Sequence, residues 1–133
     1  MNTRRRLEKR RPGRPLRILV ADDNKDEVVT LSTLLQQDGH EVLEVYRGDA
    51  VYELVRRYKP HAVLLDLGMP GMTGVEIAKQ LVDSLGTSCP LLVAITAWKQ
   101  PSARRLAELA GFKHYLTKPY DIEEVLEALA PLA

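Results

Sequence analysis

The stretch Ala62-Val63-Leu64-Leu65-Asp66-Leu67-Gly68-Met69-Pro70-Gly71-Met72-Thr73-Gly74 decides how this chain folds. It begins as an apolar run of the length that a strand buried on both faces would have. The run stops at one carboxylate, Asp66, and then breaks into Gly68, Pro70, Gly71 and Gly74. An apolar strand that delivers a single acid to its C-terminal edge puts a charge where a parallel sheet keeps its ligand crevice. A solvated aspartate at a strand end is the plainer reading of these residues alone, and the flanking sequence separates the two.

Outward from this stretch, strands and helices alternate. Leu16 to Ala21 reads as a strand ending in Asp22-Asp23-Asn24, and Val28, Val29, Leu31, Leu34 and Leu35 then recur at helical spacing until Asp38-Gly39. Glu41 to Tyr46 reads as a second strand. Val51, Leu54 and Val55 mark a short helix that ends before Pro60. Beyond the glycine-rich loop, Val75, Ile77, Ala78, Leu81, Val82 and Leu85 predict a third helix, stopped by Gly86. Pro90 to Thr96 is a fourth apolar strand ending on a hydroxyl. Pro101 suits the first turn of a fourth helix, whose expected buried face is Leu106, Leu109 and Ala110. Phe112 to Thr117 is a short fifth strand that leads to Lys118-Pro119. Asp121, with Glu124 three residues on, caps a last helix that turns Val125, Leu126 and Leu129 inward. Five strand–helix units imply a parallel sheet covered on both faces by right-handed crossovers, too few for an eight-stranded barrel. The fold expected is α/β, an open doubly wound sheet.

Bulk composition suits one soluble domain. The 133 residues are 45% hydrophobic and 28% charged, and no apolar run approaches the roughly 20 residues a bilayer needs. No signal-peptide pattern opens the chain, so a cytoplasmic location is expected. Cys89, the single cysteine, reads as a small, reduced, partly buried residue. The net charge of +1 hides an asymmetry. Residues 1–15 carry seven basic side chains and one acid, a net of +6, so the rest of the chain sums to −5. This arm is almost without apolar residues and ends in Arg11-Pro12-Gly13-Arg14-Pro15, which reads as a disordered extension before a folded domain at 16–133. Its Gly13-Arg14-Pro15 triplet is similar to the core of the AT-hook, with Pro12 where that motif has arginine. Both a solvated tail and a salt-dependent attachment to nucleic acid fit the arm.

The polar signals all fall at one edge of the expected sheet. Asp22 and Asp23 follow strand one, Asp66 ends strand three, Thr96 ends strand four and Lys118 follows strand five. In a parallel sheet these ends lie side by side. Three carboxylates within about 5 Å repel by roughly 3 kcal/mol per pair at an effective dielectric near 20, so they raise a pKa or recruit a cation. Oxygen ligands without His or Cys point to Mg²⁺. A lysine and a hydroxyl supply a charge and a hydrogen bond for an anion, and together with the metal they are equipment for phosphoryl transfer onto Asp66. No Gly-x-x-x-x-Gly-Lys loop or Gly-x-Gly-x-x-Gly turn is present to cradle a nucleotide, so the phosphate comes from elsewhere.

With these residues in hand, the chain resembles the receiver domain of two-component response regulators, including the single-domain chemotaxis type. The likeness covers Leu16 to the C-terminus and rests on Ile18-Leu-Val-Ala-Asp-Asp23, Leu64 to Gly74, Ile95-Thr-Ala97 and Tyr115-Leu-Thr-Lys-Pro119. It implies a flavodoxin-like sheet of five strands in the order 2-1-3-4-5 with five helices. It implies that Asp66 is the phosphoacceptor, charged by a histidine kinase or phosphotransfer protein. Asp23, Asp66 and the Gly68 backbone carbonyl would hold Mg²⁺, with Asp22 acting through water. Thr96 and Lys118 would sense the phosphoryl group, Tyr115 would turn inward when Thr96 shifts, and the Lys118-Pro119 bond would be cis. Ala97 is small enough to leave the site open. Gly68 and Trp98 occupy variable positions that set the lifetime of the aspartyl phosphate, and the large Trp98 is placed to shield it. His40, His61 and His114 take no role.

The chain ends at Ala133, just after the fifth helix, so the expected output is a protein-binding surface around helix four, strand five and helix five. That segment lacks the paired charges by which transcription-factor receivers dimerise, so a monomer is expected. Its Gly111-to-Pro119 run looks more like receivers of hybrid kinases, and a stand-alone relay protein and a receiver piece of a larger kinase both fit. The protein would be a signalling phosphoacceptor that assists its own phosphorylation and dephosphorylation, and not an enzyme. Two rival classes remain: a pseudo-receiver that binds partners without phosphorylation, and a DNA-associated regulator using residues 1–15.

Overall fold

The computed structural model describes residues 14–133. The elements are β1 (Arg17–Ala21), α1 (Lys25–Gln37), β2 (Glu41–Val45), α2 (Val51–Tyr58), β3 (Ala62–Asp66), α3 (Gly74–Leu85), β4 (Leu91–Thr96), α4 (Pro101–Ala110), β5 (His114–Thr117) and α5 (Ile122–Leu129). The five strands form one sheet in the order β2-β1-β3-β4-β5, with every pair parallel. This is the doubly wound order expected. The basic arm, apart from Arg14 and Pro15, lies outside the described residues. Within them Leu16 is the first buried side chain, and Arg14 Nε donates to the Leu132 carbonyl 3.1 Å away.

Alternation along each strand builds two cores. Ile18, Val20, Leu64, Val93 and Ile95 face the side covered by α1 and α5, where they meet Val28, Leu31, Leu35, Val125, Leu126 and Leu129. Leu19, Ala21, Val63, Leu65, Leu92 and Ala94 face the side covered by α2, α3 and α4. All five residues of β3 are buried, as befits the central strand.

Three helix faces differ from the sequence-based expectation. In α4 the buried residues are Ala107 and Ala110, whereas Leu106 and Leu109 are 55% and 78% exposed. The reason is packing distance. Small alanines let α4 lie close to the sheet, and the face with the larger side chains turns to solvent. In α1 and α3 the inward stripes are narrower than the apolar pattern, and Val29, Leu34 and Val82 are exposed. Their apolar faces extend past the width that one sheet covers.

Helix ends follow local chemistry. Asn24 caps α1, its side-chain oxygen accepting from the Glu27 N–H at 3.1 Å. Thr73 and Glu76 form a capping box on α3 that the sequence analysis did not single out, and Glu124 accepts from the Asp121 N–H at 2.8 Å in the expected box on α5. At the opposite end of the sheet from the acidic residues, His40 and His61 accept through Nδ1 from the N–H groups of Leu16 and Arg17, at 3.0 and 2.9 Å. They tie down the start of β1 and lie away from the crevice.

Candidate functional site

Each strand end delivers what its sequence carries. Pairing of β1 with β3 runs to Ala21 opposite Leu65, so Asp22 emerges beside Asp66. Thr96 is paired with Thr117 across β4 and β5, and the Lys118 N–H donates to the Thr96 carbonyl at 2.8 Å. That bond holds the backbone of Lys118 at the rim, before a cis Lys118-Pro119 peptide.

Lys118 is the hub. Its ammonium donates to Asp22 Oδ2 at 2.8 Å and to Asp66 Oδ2 at 3.1 Å, joining residues from three strand ends. Asp22 is 1% exposed, Asp66 is 8% exposed and Asp23 faces solvent. Carboxylate oxygens of Asp22, Asp23 and Asp66 lie within 4.8 Å of one another. A close set of hard oxygens with one member open to solvent fits a divalent cation that keeps part of its water shell. Gly68 donates its N–H to Asp66 Oδ1 at 2.9 Å. A Cβ at Gly68 would touch the Trp98 ring at 3.5 Å, so the indole sits over the loop beside Asp66.

Charge in the crevice is unevenly distributed. Burial works against ionisation of Asp22, yet the Lys118 ammonium and the Asn24 N–H outweigh it and hold that carboxyl below the usual range. Burial also raises Asp66, and the neighbouring Asp22 charge adds to it; the Gly68 N–H and Lys118 do not fully compensate. Burial disfavours the charge on Lys118, but its carboxylate partners reverse that and push its pKa above the ordinary lysine value. Asp22 is thus the settled partner of the lysine, and Asp66 is the acid under electrostatic pressure.

Thr96 is 1% exposed, and its hydroxyl accepts from the Trp98 N–H at 3.1 Å. Tyr115 donates its hydroxyl to the Trp98 carbonyl at 2.8 Å and stacks under the Arg104 guanidinium at 5.7 Å. Both residues that the resemblance casts as switch elements therefore hold the backbone of one residue, Trp98. Seven sequence-derived positions (Asp22, Asp23, Asp66, Gly68, Thr96, Tyr115 and Lys118) come to this edge, five of them around Asp66 and Lys118 and two around Trp98. Missing from the sequence analysis is Glu27, whose Oε2 accepts from Lys118 at 2.6 Å. A signal was present in its place on the first turn of α1, three residues past the Asn24 cap, but its direction depends on how α1 docks.

The family model of the response regulator receiver domain matches residues 18–130. Protein PilH of Pseudomonas aeruginosa is 34% identical over 113 residues, covering 85% of this chain and 93% of PilH. The sensory/regulatory protein RpfC of Xanthomonas campestris pv. campestris is 36% identical over 129 residues, which are 96% of this chain and 18% of RpfC. Among solved structures, a CheY-like receiver domain protein of Methanospirillum hungatei superposes with a TM-score of 0.82 at 19% identity, covering 90% of this chain and 94% of that one; it bears on the fold alone.

Proposed function

Because this chain belongs to the response regulator receiver domain family of two-component signalling, we propose that Asp66 takes a phosphoryl group from the phosphohistidine of a histidine kinase or phosphotransfer protein. The observation that carries this reading is Lys118, which bridges Asp22 and Asp66 at 2.8 and 3.1 Å although the three are far apart in sequence. An Asp66 carboxylate oxygen attacks phosphorus, forming the O–P bond as the P–N bond to the donor imidazole breaks. The imidazole nitrogen leaves with the electron pair and is reprotonated. Asp22, Asp23, Asp66 and the Gly68 carbonyl are the groups that would hold Mg²⁺, which when bound neutralises charge on the phosphoryl oxygens. Lys118 offers a fixed cation to those oxygens, and Thr96 can turn its hydroxyl to them once it gives up the Trp98 N–H. Such a shift loosens Trp98 and with it the anchor of Tyr115, so the change spreads to the α4–β5–α5 surface, where a downstream protein would bind. The chain acts as a signalling phosphoacceptor and not as a turnover enzyme. No helix among the described residues is long and apolar enough to cross a membrane.

Incubation with acetyl phosphate and Mg²⁺, followed by intact-mass measurement, tests the reading. One phosphoryl group is expected on the wild type, and none on Asp66→Asn or after chelation of the metal. No mass gain in the wild type, with the fold intact by circular dichroism, would favour a pseudo-receiver that binds partners without chemistry.

A further inference from the structure

Lys118 carries three N–H donors, and all three are in use. Two go to Asp22 and Asp66, and the shortest of the three contacts, 2.6 Å, goes to Glu27 on the first turn of α1. Asp22 and Asp66 are also two of the three carboxylates that face one another closely enough to share a cation. An ammonium bonded to those acids competes with a cation for the same oxygens. Glu27 is not one of those three carboxylates, although its side chain lies close to Asp22, and at 43% exposed it draws the ammonium toward α1.

We propose that Glu27 is a positioning residue, a carboxylate that holds Lys118 partly off Asp22 and Asp66 and so leaves their oxygens available to a divalent cation. The inference rests on the metal reading given above for Asp22, Asp23 and Asp66. Its geometry is built in. The Asn24 side chain accepts from the Glu27 N–H at 3.1 Å, and the Asn24 N–H in turn donates to Asp22 Oδ1 at 3.1 Å. One turn of chain therefore fixes Glu27 and Asp22 as two acceptors of the same ammonium.

Removing the Glu27 charge sends the third donor of Lys118 back to Asp22 and Asp66, and it also takes one negative charge from the crevice. Both effects weaken cation binding, and a double-mutant cycle separates them. The measurement is Mg²⁺ titration without a phosphodonor, followed by emission of Trp98, the single tryptophan, and by calorimetry. Glu27→Gln is expected to raise the Mg²⁺ Kd by about tenfold, the scale of one charge-assisted hydrogen bond. In a Lys118→Met background the same change is expected to alter Kd by less than about twofold, because nothing is left to position. Glu27→Asp keeps the charge and loses the reach, and is expected to behave like Glu27→Gln when Lys118 is present. An equal loss with and without Lys118, or a Glu27→Asp variant that binds like wild type, would reduce Glu27 to a distant charge and overturn the proposal. Absence of Mg²⁺ binding in the wild type would instead overturn the metal reading on which it rests.

Discussion

At the scale of single residues, the crevice stores repulsion that its chemistry can use. Burial, and after it the charge of Asp22, opposes ionisation of Asp66 and raises its pKa from the ordinary 3.8. A carboxyl whose folded pKa is raised costs stability wherever it is ionised in the fold, and that cost fades as pH falls through the folded pKa. Asp66→Asn should therefore stabilise the protein at neutral pH without metal, by about 1 kcal/mol, the ordinary scale of one substitution. Urea midpoints of the two proteins should converge as the pH approaches 4; a constant gap from pH 7 to 4 would detach the effect from ionisation. Trp98 gives a second expectation. Its ring lies beside Gly68 while its backbone is held by Thr96 and Tyr115, so Trp98→Ala removes the cover and keeps both hydrogen bonds. Loss of the phosphoryl group from Asp66 should speed up about threefold or more, an effect near 0.7 kcal/mol in barrier. An unchanged rate in a mass-based time course would remove Trp98 as a shield.

At the scale of elements, the helices differ in how much their sequence says about their facing. The three inner strands β1, β3 and β4 were legible because burial on both faces makes each a continuous apolar run. The α4 face was not, because Leu106 and Leu109 look like core residues until the short distance to the sheet selects Ala107 and Ala110. Leu109→Lys is accordingly expected to shift stability by no more than about 0.5 kcal/mol, as for an ordinary surface site. Gly74 provides the contrast. A Cβ there would lie 2.8 Å from both the Asp66 carbonyl oxygen and the Leu67 Cα, backbone atoms that have nowhere to go. Gly74→Ala should cost about 2 kcal/mol by forcing α3 away from the end of β3. Thermal melts of the pair side by side check both, and a Leu109→Lys loss as large as that of Gly74→Ala would contradict the exposed face.

At the scale of the whole molecule, charge is split between a basic arm of +6 over residues 1–15 and a remainder of −5. Among the described residues two cores pack on the sheet, and Leu16 is the first buried side chain. Deleting residues 2–13 is thus expected to leave the melting temperature and the acetyl phosphate mass gain unchanged. Any DNA binding by the full chain should fall with salt and vanish in the deletion. A truncated protein that no longer accepts phosphate would make the arm part of the working domain.

The sequence by itself determined the strand–helix alternation and the set Asp22, Asp23, Asp66, Thr96 and Lys118, since a parallel sheet lines up all its C-terminal ends. It could do so because strand ends are local features, readable where an apolar run stops. Only the tertiary structure decided that Lys118 divides its donors among Asp22, Asp66 and Glu27, that Trp98 is held between Thr96 and Tyr115, and which side of α4 is wet. Those outcomes depend on the docking angle and distance of helices, which are set by side-chain volumes contributed from elements far apart in the chain.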